Sequence, residues 1–198
     1  MKQVDKLMQQ AISDNVFPGG VLLVAEEDSV VFTAAYGQAN IFSKRLMTRG
    51  TIFDLASLTK PLATTLAVMK LVEQKKLSFD QSIGATLFPF KNTDKSKITV
   101  KHLLRHDSGL SDYRPYYKAL CKLSPKGRKD ALRDFLVKEL LICPAGQRVL
   151  YSDLGFMILG WIVEQVAGKR LDRFVTEEIY RPIGLGLDSD PGLFFCGS

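Results

Sequence analysis

Val4, Leu7, Met8 and Ile12 recur at helical spacing, which predicts an amphipathic helix over residues 3–13. Pro18-Gly-Gly20 interrupts it. Two short apolar runs follow, Val21-Leu-Leu-Val-Ala25 and Val30-Val-Phe-Thr-Ala34, separated by the polar Glu26-Glu-Asp-Ser29. They read as a β-hairpin that closes at Tyr36-Gly37. From residue 53 the period becomes helical. Residues 57–73 place Leu58, Leu62, Leu66, Met69 and Val72 on one face, with Pro61 in the first turn, where a missing N–H costs little. Thr99 is the expected N-cap of a short helix reaching Leu104. Further helices are predicted over 127–141, over 152–166 with Gly168 as terminator, and over 170–180 with Pro182 as the stop. Pro144-Ala-Gly146 is a breaker.

The order is helix, hairpin, then a largely helical remainder, an α+β pattern. Residues 1–50 supply a helix and a sheet hairpin, and 51–198 a mainly helical lobe, within a single domain. A hairpin alone is marginal in water. Leu193-Phe-Phe-Cys196 is the one later strand candidate. Either the sheet stays at two strands beneath helices, or its later strands lie outside this sequence.

Composition narrows the choices. With 198 residues and 46% hydrophobic, the chain can build one real core. The net charge of +6 admits an anionic partner in principle. The basic residues are dispersed, however, and only Tyr113-Arg-Pro-Tyr-Tyr-Lys118 mixes them closely with aromatics, so no nucleic-acid partner is expected. Three widely spaced cysteines, Cys121, Cys143 and Cys196, form no CxxC pair, which excludes a zinc knuckle or a dithiol redox motif. The N-terminus lacks the apolar core of a signal peptide, so the chain as written is expected to be cytoplasmic. The longest greasy stretch, residues 156–166, is too short and too polar for an integral membrane segment.

Three clusters could carry chemistry. Ser57-Leu-Thr-Lys60 sets an amine one helical turn from a hydroxyl. A serine is a poor nucleophile until a neighbouring base takes its proton. On the order of one Ser-x-x-Lys arises by chance in a chain this long, so an N-cap serine with a solvated lysine is the bland alternative. Tyr151-Ser-Asp153 opens the helix after the breaker; its phenol could serve as a second proton carrier if an ammonium lowered its pKa, or it could be a packed tyrosine beside a plain N-cap. His102 and His106 are spaced i, i+4, as metal ligands can be. No third ligand and no HExxH glutamate accompany them, so structural histidines bonding the turn are expected, with no metal and no cofactor.

Together these segments resemble the serine β-lactamase and penicillin-binding protein superfamily, in its class C β-lactamase, DD-carboxypeptidase and esterase branch. Phe53-Asp-Leu-Ala-Ser57-Leu-Thr-Lys60 resembles the nucleophile helix. Ile98-Thr-Val-Lys-His-Leu-Leu-Arg-His-Asp-Ser-Gly-Leu110 is similar to that branch's "ITVRHLLTHTSGL" segment. Pro144-Ala-Gly146 with Tyr151-Ser-Asp-Leu-Gly-Phe156 is similar to "PG…YSNxGY", and Ile179-Tyr-Arg-Pro-Ile-Gly-Leu185 to the "PLGM" turn. The resemblance spans residues 3–190. It implies a β-lactamase/transpeptidase-like fold with an antiparallel sheet and a large helical lobe. It also implies a nucleophile at Ser57, a proton-transfer partner at Lys60, a proton relay at Tyr151 and a substrate-binding position at Asp153. The implied partners are β-lactams, D-Ala-D-Ala-like or other peptidoglycan-like peptides, or small esters, and such families are often periplasmic or secreted.

Two departures stand out. Asp153 occupies a position where the family usually has asparagine. A carboxylate accepts but cannot donate, so it would hold Lys60 charged more firmly or weaken binding of a substrate carbonyl. The third family motif, Lys-Thr-Gly or His-x-Gly on a C-terminal strand, is not found, so the chain is expected to be truncated, with that strand's oxyanion donor and its neighbours in the sheet missing. Loss of one such donor costs about a hundred- to a thousandfold in rate. The alternative to a hydrolase is a catalytically impaired paralogue or fragment that binds a ligand or partner, with homo-oligomerisation or strand exchange at the open sheet edge.

Overall fold

The computed structural model describes residues 2–185, so Leu193–Cys196 lies outside the described residues. The chain divides into two compact units at Leu55/Ala56.

In the first unit, α1 (Lys2–Ser13) precedes an antiparallel sheet of β1 (Gly19–Glu26), β2 (Ser29–Asn40) and β3 (Arg45–Leu46), ordered β1-β2-β3. The buried Tyr36 of β2 donates its hydroxyl to Asp5 Oδ1 at 2.5 Å, which ties α1 to the sheet. The hairpin runs past its expected end. Gly19 pairs with Gly37, and a Cβ on either would collide with the facing backbone. Gly37, at φ 68°, lets β2 continue irregularly to pair Gln38 with Leu46 and Asn40 with Arg45. The third strand is only two residues long, too short to carry a period-2 signal.

The second unit is helical. Its first segment runs as a 3₁₀ turn at Ala56–Leu58, a π-helical turn at Lys60–Thr65 and α2 (Leu66–Glu73). The expected apolar face is corrected here. Leu58 and Met69 are exposed, and the buried face is Ala63, Ala67, Val68 and Leu71. A π turn accommodates an extra residue relative to the α-helix, which rotates the downstream face. The small alanines then allow close approach to the neighbouring helices.

Short elements without sequence signals follow: α3 (Ile83–Thr86) and a 3₁₀ turn at Phe88–Phe90. In α4 (Val100–Leu104), Thr99 caps the helix as expected. Its Oγ1 accepts the His102 N–H at 3.2 Å, and His102 Nδ1 accepts the Thr99 N–H at 3.1 Å. After the short α5 (Tyr117–Leu120), α6 (Pro125–Lys138) starts earlier than expected, with Pro125 in its first turn, and stops where Glu139 turns extended.

The central α7 (Asp153–Ala167) is capped by Ser152 and ended by Gly168 at φ 64°. It buries Leu154, Ile158, Leu159, Trp161, Ile162 and Val163. Each such aliphatic side chain contributes about 1.5–3 kcal/mol when removed from water. The expected helix over 170–180 is instead α8 (Leu171–Val175), a π-helical turn at Thr176–Tyr180 and a 3₁₀ turn at Arg181–Ile183. Among the described residues, no helix is long and apolar enough to cross a membrane.

Candidate active site

Ala56, immediately before the candidate nucleophile, has φ 44°, in the left-handed region. A side chain there costs on the order of 1–3 kcal/mol, and such strain concentrates at functional sites. Ser57 follows on the first turn, exposed to solvent. One turn later the Lys60 ammonium donates to Ser57 Oγ at 3.2 Å. The spacing of three residues, expected to bring amine and hydroxyl together, does so.

Lys60 is the hub. Its Nζ lies 2.6 Å from Asp153 Oδ1. It also sits 4.9 Å from the centre of the Tyr151 ring and 5.8 Å from that of Phe156, within the range of cation–π attraction. Asp153 Oδ1 is buried and faces the ammonium. The short distance is an ion-pair contact, not a well-aligned hydrogen bond. Asp153 is the first residue of α7, so it stands at the N-terminal end of that helix.

Ionisation follows from these contacts. Burial pushes Lys60 down, but the Asp153 carboxylate and Tyr151 outweigh it and hold the ammonium above its ordinary range. Tyr151 moves the opposite way. Hydrogen bonds with Lys60 and then Ser57 lower its phenol, and the nearby ammonium charge adds to the effect. A charged lysine is a donor and cannot take the serine proton, whereas the lowered phenol ionises more readily, and its phenolate is a form that accepts a proton.

Tyr151 itself is half-exposed and is held through its neighbours. Ser152 is buried, donates its hydroxyl to the Ser111 carbonyl at 2.6 Å, and accepts the Gly155 N–H at 3.2 Å as the cap of α7. The Asp153 N–H reaches the Asp112 carbonyl at 2.8 Å. Gly109 makes this turn possible. At φ 79° its backbone lies so close to the Cys143 carbonyl that no Cβ fits, and its own carbonyl accepts the Ile142 N–H at 2.9 Å.

The four sequence-predicted site residues, Ser57, Lys60, Tyr151 and Asp153, are therefore adjacent. His106 and His102 part company: His102 closes the α4 cap, while His106 packs 4.6 Å from the Tyr151 ring and 5.1 Å from the Phe156 ring. The proximity of His106 and Phe156 to the lysine carries no spacing signal, because separate segments bring them together. Among the described residues, no group of three or more His, Cys, Asp or Glu side chains is arranged to hold a metal ion.

Known proteins resemble this chain in sequence and in fold. The family model described as Beta-lactamase matches residues 4–187. A Bacillus subtilis (strain 168) protein named N-acetylmuramyl-L-alanine amidase is 34% identical over 93% of this chain and 45% of its own length. An Escherichia coli (strain K12) protein with a provisional D-alanyl-D-alanine carboxypeptidase name is 33% identical over 93% of this chain and 46% of its own. Among solved structures, the hydrolase EstCE1, described as having promiscuous acyltransferase activity, superposes with a TM-score of 0.79 at 34% identity, covering 93% of this chain and 51% of that one. The octameric penicillin-binding protein homologue from Pyrococcus abyssi has a TM-score of 0.80 at 24% identity over 93% of this chain and 43% of that one, a likeness of fold alone. The chain spans about half the length of these relatives. With the family model covering nearly all of it, the chain belongs to the β-lactamase family of serine hydrolases, with a β-lactamase/transpeptidase-like fold.

Proposed function

We propose that this chain carries the acylating machinery of a serine hydrolase, with Ser57 as nucleophile, Tyr151 as proton acceptor and Lys60 as its charged partner. The observation that carries this reading is the single ammonium of Lys60 in contact with the Ser57 hydroxyl, the Asp153 carboxylate and the Tyr151 ring. The Ser57 proton passes to the ionised Tyr151 oxygen as Ser57 Oγ attacks a carbonyl carbon. Lys60 stabilises the phenolate before transfer and offsets the negative charge that develops on the substrate. Tyr151 then returns the proton to the departing alcohol or amine, leaving an acyl-serine. Water cleaves that ester, with Tyr151 again accepting a proton.

Asp153 keeps Lys60 in its charged form. Its side chain is 34% exposed, so it also borders the space a substrate would enter. The substrate class we favour is a small ester or amide, including β-lactams and peptidoglycan-like peptides ending in D-alanine. The amidase and carboxypeptidase names of the relatives support the peptide arm, and the hydrolase EstCE1 supports a broader acyl specificity.

The test is hydrolysis of p-nitrophenyl acetate, nitrocefin and an acyl-D-Ala-D-Ala peptide by the wild type and by Ser57→Ala. Turnover of at least one substrate, reduced about a thousandfold or more by the substitution, is expected. Turnover that survives Ser57→Ala unchanged would place the chemistry elsewhere. No turnover by folded wild type would favour a binding scaffold.

A further inference from the structure

His106 touches Tyr151 in three ways. It lies in the turn after α4 with φ 59°, a left-handed conformation. Its carbonyl accepts the Leu150 N–H at 2.8 Å, and its Nδ1 accepts the Ser152 N–H at 3.0 Å. These are the amides on either side of Tyr151, so one residue grips the chain before and after the phenol. Its ring also lies against the Tyr151 ring, 4.6 Å between centroids and inclined by 33°. Phe156 packs against the same imidazole at 5.1 Å.

The grip works in one protonation state. An Nδ1 that accepts a hydrogen bond must carry its lone pair, so the neutral ring holds its proton on Nε2. In the imidazolium both nitrogens are donors, and Nδ1–H would face the Ser152 N–H head-on. The charged groups that face the ring are Lys60, from the π-helical turn, and Asp153, from α7. On its own segment Arg105 and Asp107 pair with each other at 3.2 Å. Burial first and the Lys60 charge second disfavour the imidazolium, and Asp153 only partly offsets them.

We infer that His106 is a positioning residue that aims Tyr151 at Ser57 and releases it when protonated, giving the site a built-in acid limit. This rests on the reading of Tyr151 as a proton carrier. It does not depend on which acyl substrate is used. The sign is fixed by the neutral form being the folded one: the grip is complete above the ordinary histidine pKa of about 6.5 and is lost as pH falls through the lower folded value.

Two substitutions separate the roles. His106→Asn puts an amide oxygen near the position of Nδ1, tolerates a positive φ and cannot titrate. His106→Phe keeps an aromatic ring and removes the acceptor. The first measurement is NMR of the whole chain with labelled histidine and tyrosine, which requires no catalysis. The expected result is His106 as the Nε2–H tautomer, titrating below 6.5, with the Tyr151 ring signals shifting at the same midpoint in wild type and not in His106→Asn. A wild-type Tyr151 indifferent to the His106 titration, or the opposite tautomer, would overturn the inference.

The second is the pH dependence of Ser57 labelling by a fluorophosphonate. His106→Phe is expected to lose about tenfold to a hundredfold, the scale of an ångström-sized misplacement. His106→Asn should restore most of that rate and remove only the additional acid loss that His106 contributes beyond protonation of Tyr151 itself. An acid limb unchanged in His106→Asn would also overturn the inference. Failure of the wild type to label at any pH would instead count against the nucleophile assignment, leaving the NMR coupling to decide on His106.

Discussion

Ser152→Ala should cost the fold about 2–4 kcal/mol, although it removes a single oxygen. Two terms add. The hydroxyl accepts the Gly155 N–H as the cap of α7, and losing such a cap costs about 1 kcal/mol. The same hydroxyl donates to the Ser111 carbonyl at 2.6 Å. Ser152 and Ser111 are 1% and 3% exposed, so water cannot readily replace the donor, and a stranded buried carbonyl costs about 1–3 kcal/mol. The assay is urea unfolding followed by the fluorescence of Trp161, which packs against Phe90 in the core. The midpoint should fall while the slope stays constant, and hydrogen exchange at the Gly155 amide should accelerate beyond the global change. A loss below about 0.5 kcal/mol, the range of an ordinary surface substitution, would refute the claim that this hydroxyl fastens the segment carrying Tyr151 and Asp153.

Other consequences are equally direct. Gly109→Ala should destabilise by about 2–4 kcal/mol, because overpacking costs about 1–3 kcal/mol and a side chain at positive φ adds strain; a near-wild-type unfolding curve would contradict the packing against Cys143. For Asp153→Asn the alkaline limb of the acylation rate should move to lower pH. Lys60 has a raised folded pKa, so its favourable charge is fully present below the unfolded value and is lost as pH rises through the folded one. Removing the carboxylate leaves Tyr151 alone to oppose burial, which lowers the lysine. A limb that stays in place or moves upward would show that Asp153 does not govern Lys60.

Local chemistry was legible where a single segment contained it. Thr99 at the start of α4, Gly168 at the end of α7 and the three-residue step from Ser57 to Lys60 each act within a turn or two, and the sequence pattern predicts all three. The order of motifs carried the family resemblance in the same way. What depended on nonlocal or subtle geometry was not legible. The π-helical turn at Lys60–Thr65 changes the phase of a segment in which Leu58 and Met69 end up exposed. The two residues of β3 are a strand only because Gly37 lets β2 extend to meet them. The contact of Asp153 with Lys60 joins positions 93 residues apart, and the hydrogen bond from the Ser152 N–H to His106 joins positions 46 apart. Asp153 departs from the family's usual asparagine, and its consequence becomes definite only with the ammonium 2.6 Å away.

The central claim is that Ser57 is a working nucleophile. The most direct measurement is intact-protein mass after incubation with a fluorophosphonate and, separately, with a penicillin, followed by peptide mapping, for wild type and Ser57→Ala. The account predicts one adduct on wild type with at least the fluorophosphonate, mapped to Ser57 and absent from the variant. No adduct on folded wild type, or an adduct that persists in Ser57→Ala, would contradict it.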